Sequence, residues 1–181
     1  MVNNFKNEDI KKGFRFGSLC ISQANKLKKN FPDISNLLYY CAVEAVSNSL
    51  AFIKKTSRIK NANFKIKYDI ERKINKTKEF VNFIDKYCID SIKKEVKFQK
   101  EENNQIIDLE FRDFLRYLYQ RNRCLMVHKG LFRNFKQCID LFVDGKNNVC
   151  NIMFTIDKHN NFTEWFSKAV KSCFQNFLKE C

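Results

Sequence analysis

The stretch "YLYQRNRCLMVHKGLF", residues 117–132, gathers the residue types suited to handling a phosphate. It holds His128, one of two histidines in 181 residues, with Arg121, Asn122 and Arg123 before it and Lys129 after it. Histidine titrates near neutral pH, so it can take and return a proton under cellular conditions. Arginine presents a planar fork of donors that matches two phosphate oxygens at once. An α-helix advances about 100° per residue, which puts Arg121 and His128 within about 20° of each other. By the same rule Arg123 lies about 140° from His128. It joins the others if the helix ends near Val127, and Gly130 favours such an end. A plainer reading stays open beside this one: cations in the last turn of a helix complement its dipole.

Apolar spacing gives the elements that must carry these residues. Ile10, Phe14, Ile21, Ala24 and Leu27 predict a first helix over 7–30. "NFPDIS" stops it, and Asp33 or Ser35 can cap a second helix that runs to about residue 56. That helix has a broad apolar stripe, and Glu44 sits within it in "YYCAVEAVSN". Residues 57–76 read as a basic connection, with alternation in "NFKIKYDI" suggesting a short extended piece. Helix returns over 77–99, where Phe80, Ile84, Tyr87, Cys88, Ile92 and Val96 keep the period. "QKEENNQ" reads as a polar loop. Asp108 then caps a helix through Phe111, Phe114, Leu115, Leu118, Leu125 and Met126. "CIDLFVDGKNNVCNIMFTID" carries two β-prone runs around the turn signal Asp144-Gly145. Asn161 and Glu164 have capping-box spacing before a strongly amphipathic last helix from Phe162 to Leu178. The expectation is a mainly α fold: one domain over 1–181, a bundle of about five helices, with a small β-hairpin inserted before the C-terminal helix.

Composition limits the function classes. Four glycines and one proline favour long helices over many short strands. The formal net charge of +14 fits a polyanionic partner, although the lysines are scattered, and a lysine-rich surface composition accounts for the excess equally well. The eight cysteines include no C-x-x-C pair and mostly stand among apolar neighbours, so they read as small buried hydrophobes in a reducing compartment. The N-terminal residues show no apolar signal core, and no run has the length of a membrane span, which predicts a cytoplasmic protein without a membrane partner. Two histidines with no acid cluster near His128 leave too few ligands for a metal, and no cofactor motif is present. His159, in "IDKHNNF", reads as an incidental loop residue.

"RNRCLMVHKG" resembles the signature of the HEPN superfamily, small α-helical domains whose ribonuclease members carry R-x4-6-H. Arg123 to His128 gives R-x4-H, and Arg121 to His128 gives R-x6-H with a polar Asn122 directly after the arginine. "LLYYCAVEAVSNSL" resembles an earlier helix of that bundle and "WFSKAVKSCFQNFL" its closing helix, so the likeness spans about residues 35–180. One departure is Gly130, where a toxin subclass has the tyrosine of H-x-Y; regulation through that tyrosine is not expected here.

The resemblance implies a metal-independent endoribonuclease acting on single-stranded RNA, with the site completed by a homodimer. It assigns His128 to proton transfer or to orienting the 2′-hydroxyl. Family spacing gives Arg123 the phosphate; helical phase gives it to Arg121. Asn122 can hold a backbone phosphate or position the histidine, or equally cap the helix. Lys129 adds positive field as an RNA contact, or is a surface lysine. Glu44 can pair with one arginine and hold its fork, or stand at a wet rim. The implied biology is defence or a toxin–antitoxin pair, with an antitoxin or other regulatory protein as partner. A non-catalytic HEPN-type module that binds RNA, a nucleotide or a protein is the alternative.

Overall fold

In the computed structural model, which describes residues 7–59, 64–102, 105–123, 137–143, 149–158 and 161–180, the chain is mainly helical with one four-stranded antiparallel sheet. For residues 64, 102, 122, 137–143 and 149–151 the description covers the backbone. Helix α1 is Glu8–Leu27. Asn7 starts it by accepting the Asp9 amide on its side chain, and Glu8 and Asp9 set negative charge against the positive end. Phe14, Gly17, Cys20 and Ala24 are its buried positions, three or four residues apart, as one packed face requires.

Helix α2, Pro32–Thr56, begins differently from the sequence expectation. Neither Asp33 nor Ser35 caps it. Phe31 occupies the cap with no side-chain bond, and Pro32 starts the first turn, where its missing N–H would have had no partner. The Ser35 hydroxyl instead donates to the carbonyl of Ala24 at 2.9 Å, tying α2 to α1. Tyr39, Tyr40, Ala42, Val43 and Val46 are fully buried, which makes α2 the central helix.

The approach of α1 to α2 depends on two glycines one turn apart. A Cβ on Gly13 would lie 2.7 Å from the Ala45 carbonyl oxygen. One on Gly17 would lie 2.9 Å from the Ala42 oxygen and 2.7 Å from the Phe174 ring. Alanine has the better helix propensity, by about 1 kcal/mol. Backbone oxygens cannot step aside as a flexible side chain can, so the clash outweighs that gain. Gly17→Ala is expected to destabilise the fold by about 1–3 kcal/mol, the usual cost of overpacking, as read from the urea unfolding midpoint.

The region read as a basic connection contains a helix, α3, Phe64–Arg72. The apparent alternation in "NFKIKYDI" misled because Ile66, Ile70 and Ile74, four apart, are the inward positions while Tyr68 is exposed. Helix α4, Lys76–Tyr87, is capped by Asn75, whose side chain accepts the Lys78 amide at 3.0 Å. The helix expected over 77–99 stops at Tyr87. A single short turn, α5, Asp90–Lys93, follows, and then strand β1, Val96–Glu102. Ile92 and Val96 kept helical spacing by coincidence: the chain has already turned, and they pack from other elements.

Strand β2, Gln105–Asp108, pairs antiparallel with β1, so "QKEENNQ" is mostly hairpin rather than loop. Asp108 ends this strand, and its side chain accepts a bond from Gln99 at 2.7 Å instead of capping a helix. Helix α6, Phe111–Tyr117, has Glu110 at its cap without a side-chain bond. A π-helical segment, Leu118–Arg123, continues directly from it. Strands β3, Gln137–Val143, and β4, Val149–Ile156, form the one hairpin that the sequence predicts, so the hairpin of β1 and β2 is additional; the turn with Asp144-Gly145 lies outside the described residues. Strand β4 also pairs with β1, which gives the order β2-β1-β4-β3. Helix α7, Phe162–Glu180, closes the chain, and the Glu164 amide donates to Asn161 as the cap spacing predicts.

The sheet meets the helices through aromatic rings. Phe98 of β1 and Phe154 of β4 are register partners, and both lie against Phe114 and Tyr117 of α6, with centroids 5.2–5.9 Å apart. One core therefore runs from the sheet through α6 to α2, α4 and α7. Cys20, Cys88 and Cys173 are free and buried in it, and Cys41 is free and half-buried. Burial, then neighbouring Cys88, pushes the Cys173 thiol well above the ordinary cysteine range. No helix among the described residues is long and apolar enough to cross a membrane.

Candidate functional site

The π-helical segment Leu118–Arg123 carries Arg121, Asn122 and Arg123. A π-helix bonds residue i to i+5 and is wider than an α-helix, so each residue turns through less than the usual ~100°. The phase argument that ranked Arg121 with His128 assumed an undisturbed α-helix, and the segment departs from that geometry where it matters. Tyr40 of α2 approaches its first residue, with the hydroxyl 3.5 Å from the Leu118 carbonyl oxygen. Leu118 and Tyr119 are buried, so the segment is anchored to the core along one side.

Arg123 is brought onto Glu44 of α2. Its Nε donates to Oε1 at 2.7 Å and its Nη2 to Oε2 at 3.1 Å, a fork-to-fork pair. The two side chains are 22% and 13% exposed, enough shielding for the pair to be felt more strongly than one in open water. The guanidinium also lies over the Tyr119 ring, 5.5 Å from its centroid, four residues earlier on the same segment. Tyr119 in turn packs on Phe80 of α4 at 4.9 Å. The result is an arginine fixed in plane and direction by a carboxylate on one edge and an aromatic face beneath. Cys41, one turn before Glu44, feels the same pair. Burial, first, and the Glu44 charge raise its thiol, while the Arg123 charge pulls it back.

Arg121 is half-buried on the same segment, and Asn122 lies between the two arginines. His128, Lys129 and His159 lie outside the described residues. The structure thus joins Glu44 and Arg123 across two helices. Tyr119 is the member of the group that spacing alone did not single out, although an aromatic four residues before an arginine on a helical stretch is the signal for such a contact. No group of three or more His, Cys, Asp or Glu among the described residues could hold a metal ion.

A bidentate arginine on a half-buried carboxylate supports two uses. It can present a rigid cationic edge to an anion, or it can lock α2 to the end of α6. The fold and site define a mainly helical protein with a small antiparallel sheet and a braced arginine on a π-helical turn. Comparisons with family models, curated proteins and solved structures return no match for the chain.

Proposed function

We propose that this chain is a HEPN-type, metal-independent endoribonuclease that cleaves single-stranded RNA, in a defence or toxin–antitoxin role, at a site completed by a second copy. The observation that carries this reading is the Arg123 fork, held by Glu44 and Tyr119 on a π-helical turn five residues before the histidine. Such turns recur at functional sites because they re-aim side chains at the expense of helix regularity.

The reaction needs no metal in principle. The ribose 2′-oxygen attacks the adjacent phosphorus, a base takes the hydroxyl proton, the P–O5′ bond breaks, and an acid returns a proton to the leaving 5′-oxygen. The products are a 2′,3′-cyclic phosphate and a 5′-hydroxyl. His128 moves the proton or orients the 2′-hydroxyl, a task for a group that titrates near neutrality. Arg123 stabilises the crowded anionic phosphorane, with Arg121 as the second cation. Asn122 holds a backbone phosphate, Lys129 adds positive field, and Glu44 keeps the Arg123 fork in plane. A two-fold dimer apposing these segments would set two copies of each group around one strand. The second reading is a non-catalytic RNA-, nucleotide- or protein-binding module. What favours it is the same pair: Glu44 already engages two donors of the arginine, as a purely structural brace would.

The test is incubation of the wild type and His128→Ala with labelled single-stranded RNA in EDTA, followed by end-group analysis. Cleavage that persists in chelator, leaves a cyclic phosphate, and drops by about 10²-fold or more in the variant is the expected result. Salt-sensitive binding without cleavage selects the binding module. Cleavage that needs a metal or ignores His128 rejects the mechanism.

A further inference from the structure

A second basic feature lies between α4 and α6 and uses none of the residues assigned to cleavage. A cavity of about 370 Å³ opens between the start of α4 and the outer face of α6. Its polar lining is Asn75, Thr77, Lys78, Arg112, Arg116 and Gln120. Three side chains there are cations, and no acid is among its described lining residues. A hydroxyl and two amides supply further hydrogen-bonding groups. The acids that compensate the arginines stand outside the cavity. Arg112 pairs with Asp85 and donates to Asn82 Oδ1 at 2.7 Å, both on α4. Arg116 pairs with Asp113 on its own helix. Among the described residues Lys78 makes no ion pair.

This arrangement has the chemistry of an oxyanion receptor. Asp85 and Asn82 hold the Arg112 guanidinium, a single bond to Asp113 steers Arg116, and the guanidinium N–H groups left over can meet phosphate oxygens. Lys78 adds a point charge that nothing described neutralises. The beginning of α4, a helix of 12 residues, turns its positive dipole end to the same region. Cavities from about 300 Å³ upward hold small organic ligands, so this one has room for a phosphoryl group with part of the ester that carries it. Val81 is the one apolar residue among its described lining residues.

We propose that this cavity binds a phosphate ester. Lys78, Arg112 and Arg116 supply its charge, and Gln120 and Thr77 donate to its oxygens. The site stands apart from the proposed cleavage reaction, because it uses none of the residues assigned to that chemistry. Gln120 nevertheless shares the π-helical segment with Arg123, three residues before it. The same phosphate chemistry comes from two sources, an RNA backbone or a free mononucleotide, and the test separates them.

The full chain is titrated with a nucleoside 5′-monophosphate and, separately, with a 2′-O-methyl RNA oligomer, which lacks the nucleophile and stays intact. Binding is followed by calorimetry. The variant Lys78→Gln/Arg116→Gln changes two exposed side chains, and circular dichroism confirms that it folds; Gln120→Ala is the second, neutral probe. At least one of the two ligands is expected to bind the wild type and to lose fivefold or more in affinity in the double variant. The ligand that responds identifies the source. For RNA, the loss of two charges also reduces the slope of log K against log salt by roughly 1 to 1.5. Monophosphate binding is compared between the wild type and the double variant with no cleavage involved, so failure of the cleavage reading does not touch this one. The proposal is overturned if neither ligand binds the wild type, or if the double variant binds both with less than a fivefold loss.

Discussion

Arg123→Ala is expected to reduce cleavage of single-stranded RNA by about 10²-fold or more, the usual cost of removing a preorganised donor from a phosphorane-like transition state. That factor corresponds to about 2.7 kcal/mol of lost transition-state stabilisation. A simple loss of activity would not separate a phosphate contact from a structural brace, since Arg123 also holds Glu44. Removing the arginine leaves a carboxylate only 13% exposed without its partner, and an orphaned charge of that kind is costly. The single variant should therefore lose stability as well as activity. Adding Glu44→Gln to it removes the stranded charge. The double variant Arg123→Ala/Glu44→Gln is expected to regain most of the lost thermal stability and none of the lost cleavage. Arg123→Lys supplies the third arm: it keeps the charge but not the fork, so cleavage should stay well below wild type. If cleavage returns with stability in the double variant, Arg123 acts only as a brace and the assignment of phosphate contact is wrong.

The helices were readable where apolar residues repeat without interruption. Phe14, Cys20 and Ala24 fall on the inward face of α1, and the last helix starts where Asn161 and Glu164 place it. The errors arose where tertiary packing decides between periods. Ile92 and Val96 continue the rhythm of α4 in sequence, yet the chain leaves that helix at Tyr87 and Val96 begins a strand. Strand β2 escaped notice for a different reason. All four of its residues are exposed, so Ile106 and Ile107 show no alternation between a buried and a wet face. A four-residue, solvent-facing edge strand carries no periodic signal, and only its pairing with β1 makes it a strand.

Legibility of the site divides along the same line. Residue type singled out Glu44, a carboxylate inside an apolar stripe, because such a group needs a partner when half-buried. Which arginine it would meet was beyond a phase rule based on α-helix geometry, since the π-helical turn changes the rotation between Arg121 and Arg123. The cavity between α4 and α6 was unreadable for another reason. Lys78, Arg112 and Arg116 are unremarkable scattered cations in sequence, and they converge only because α4 and α6 pack side by side.

The largest loss of stability is expected from Trp165→Ala. Trp165, the one tryptophan in the chain, is fully buried near the N-terminal end of α7. Its ring lies 5.6 Å from Phe114 and 6.2 Å from Phe111 of α6, both edge-on, and 6.0 Å from Phe162 of its own helix. Its indole N–H donates to the Ile92 carbonyl at 3.2 Å, which fixes the turn between α4 and β1. One side chain thus joins α7, α6 and the approach to the sheet. Truncating a buried aromatic costs about 3–5 kcal/mol, against a total stability of about 5–15 kcal/mol for an ordinary domain. For a chain of this length that amounts to a fall in Tm of roughly 6–20 °C, measured by circular dichroism because the variant has lost its fluorophore. Trp165→Phe isolates the hydrogen bond. It keeps most of the apolar volume and removes only the indole donor, while the Ile92 carbonyl still accepts from the Glu95 amide at 3.2 Å, and the expected cost is about 0.5–1.5 kcal/mol. If Trp165→Ala unfolds no more easily than Trp165→Phe, the packing of α7 on α6 contributes little and the core is organised around other contacts.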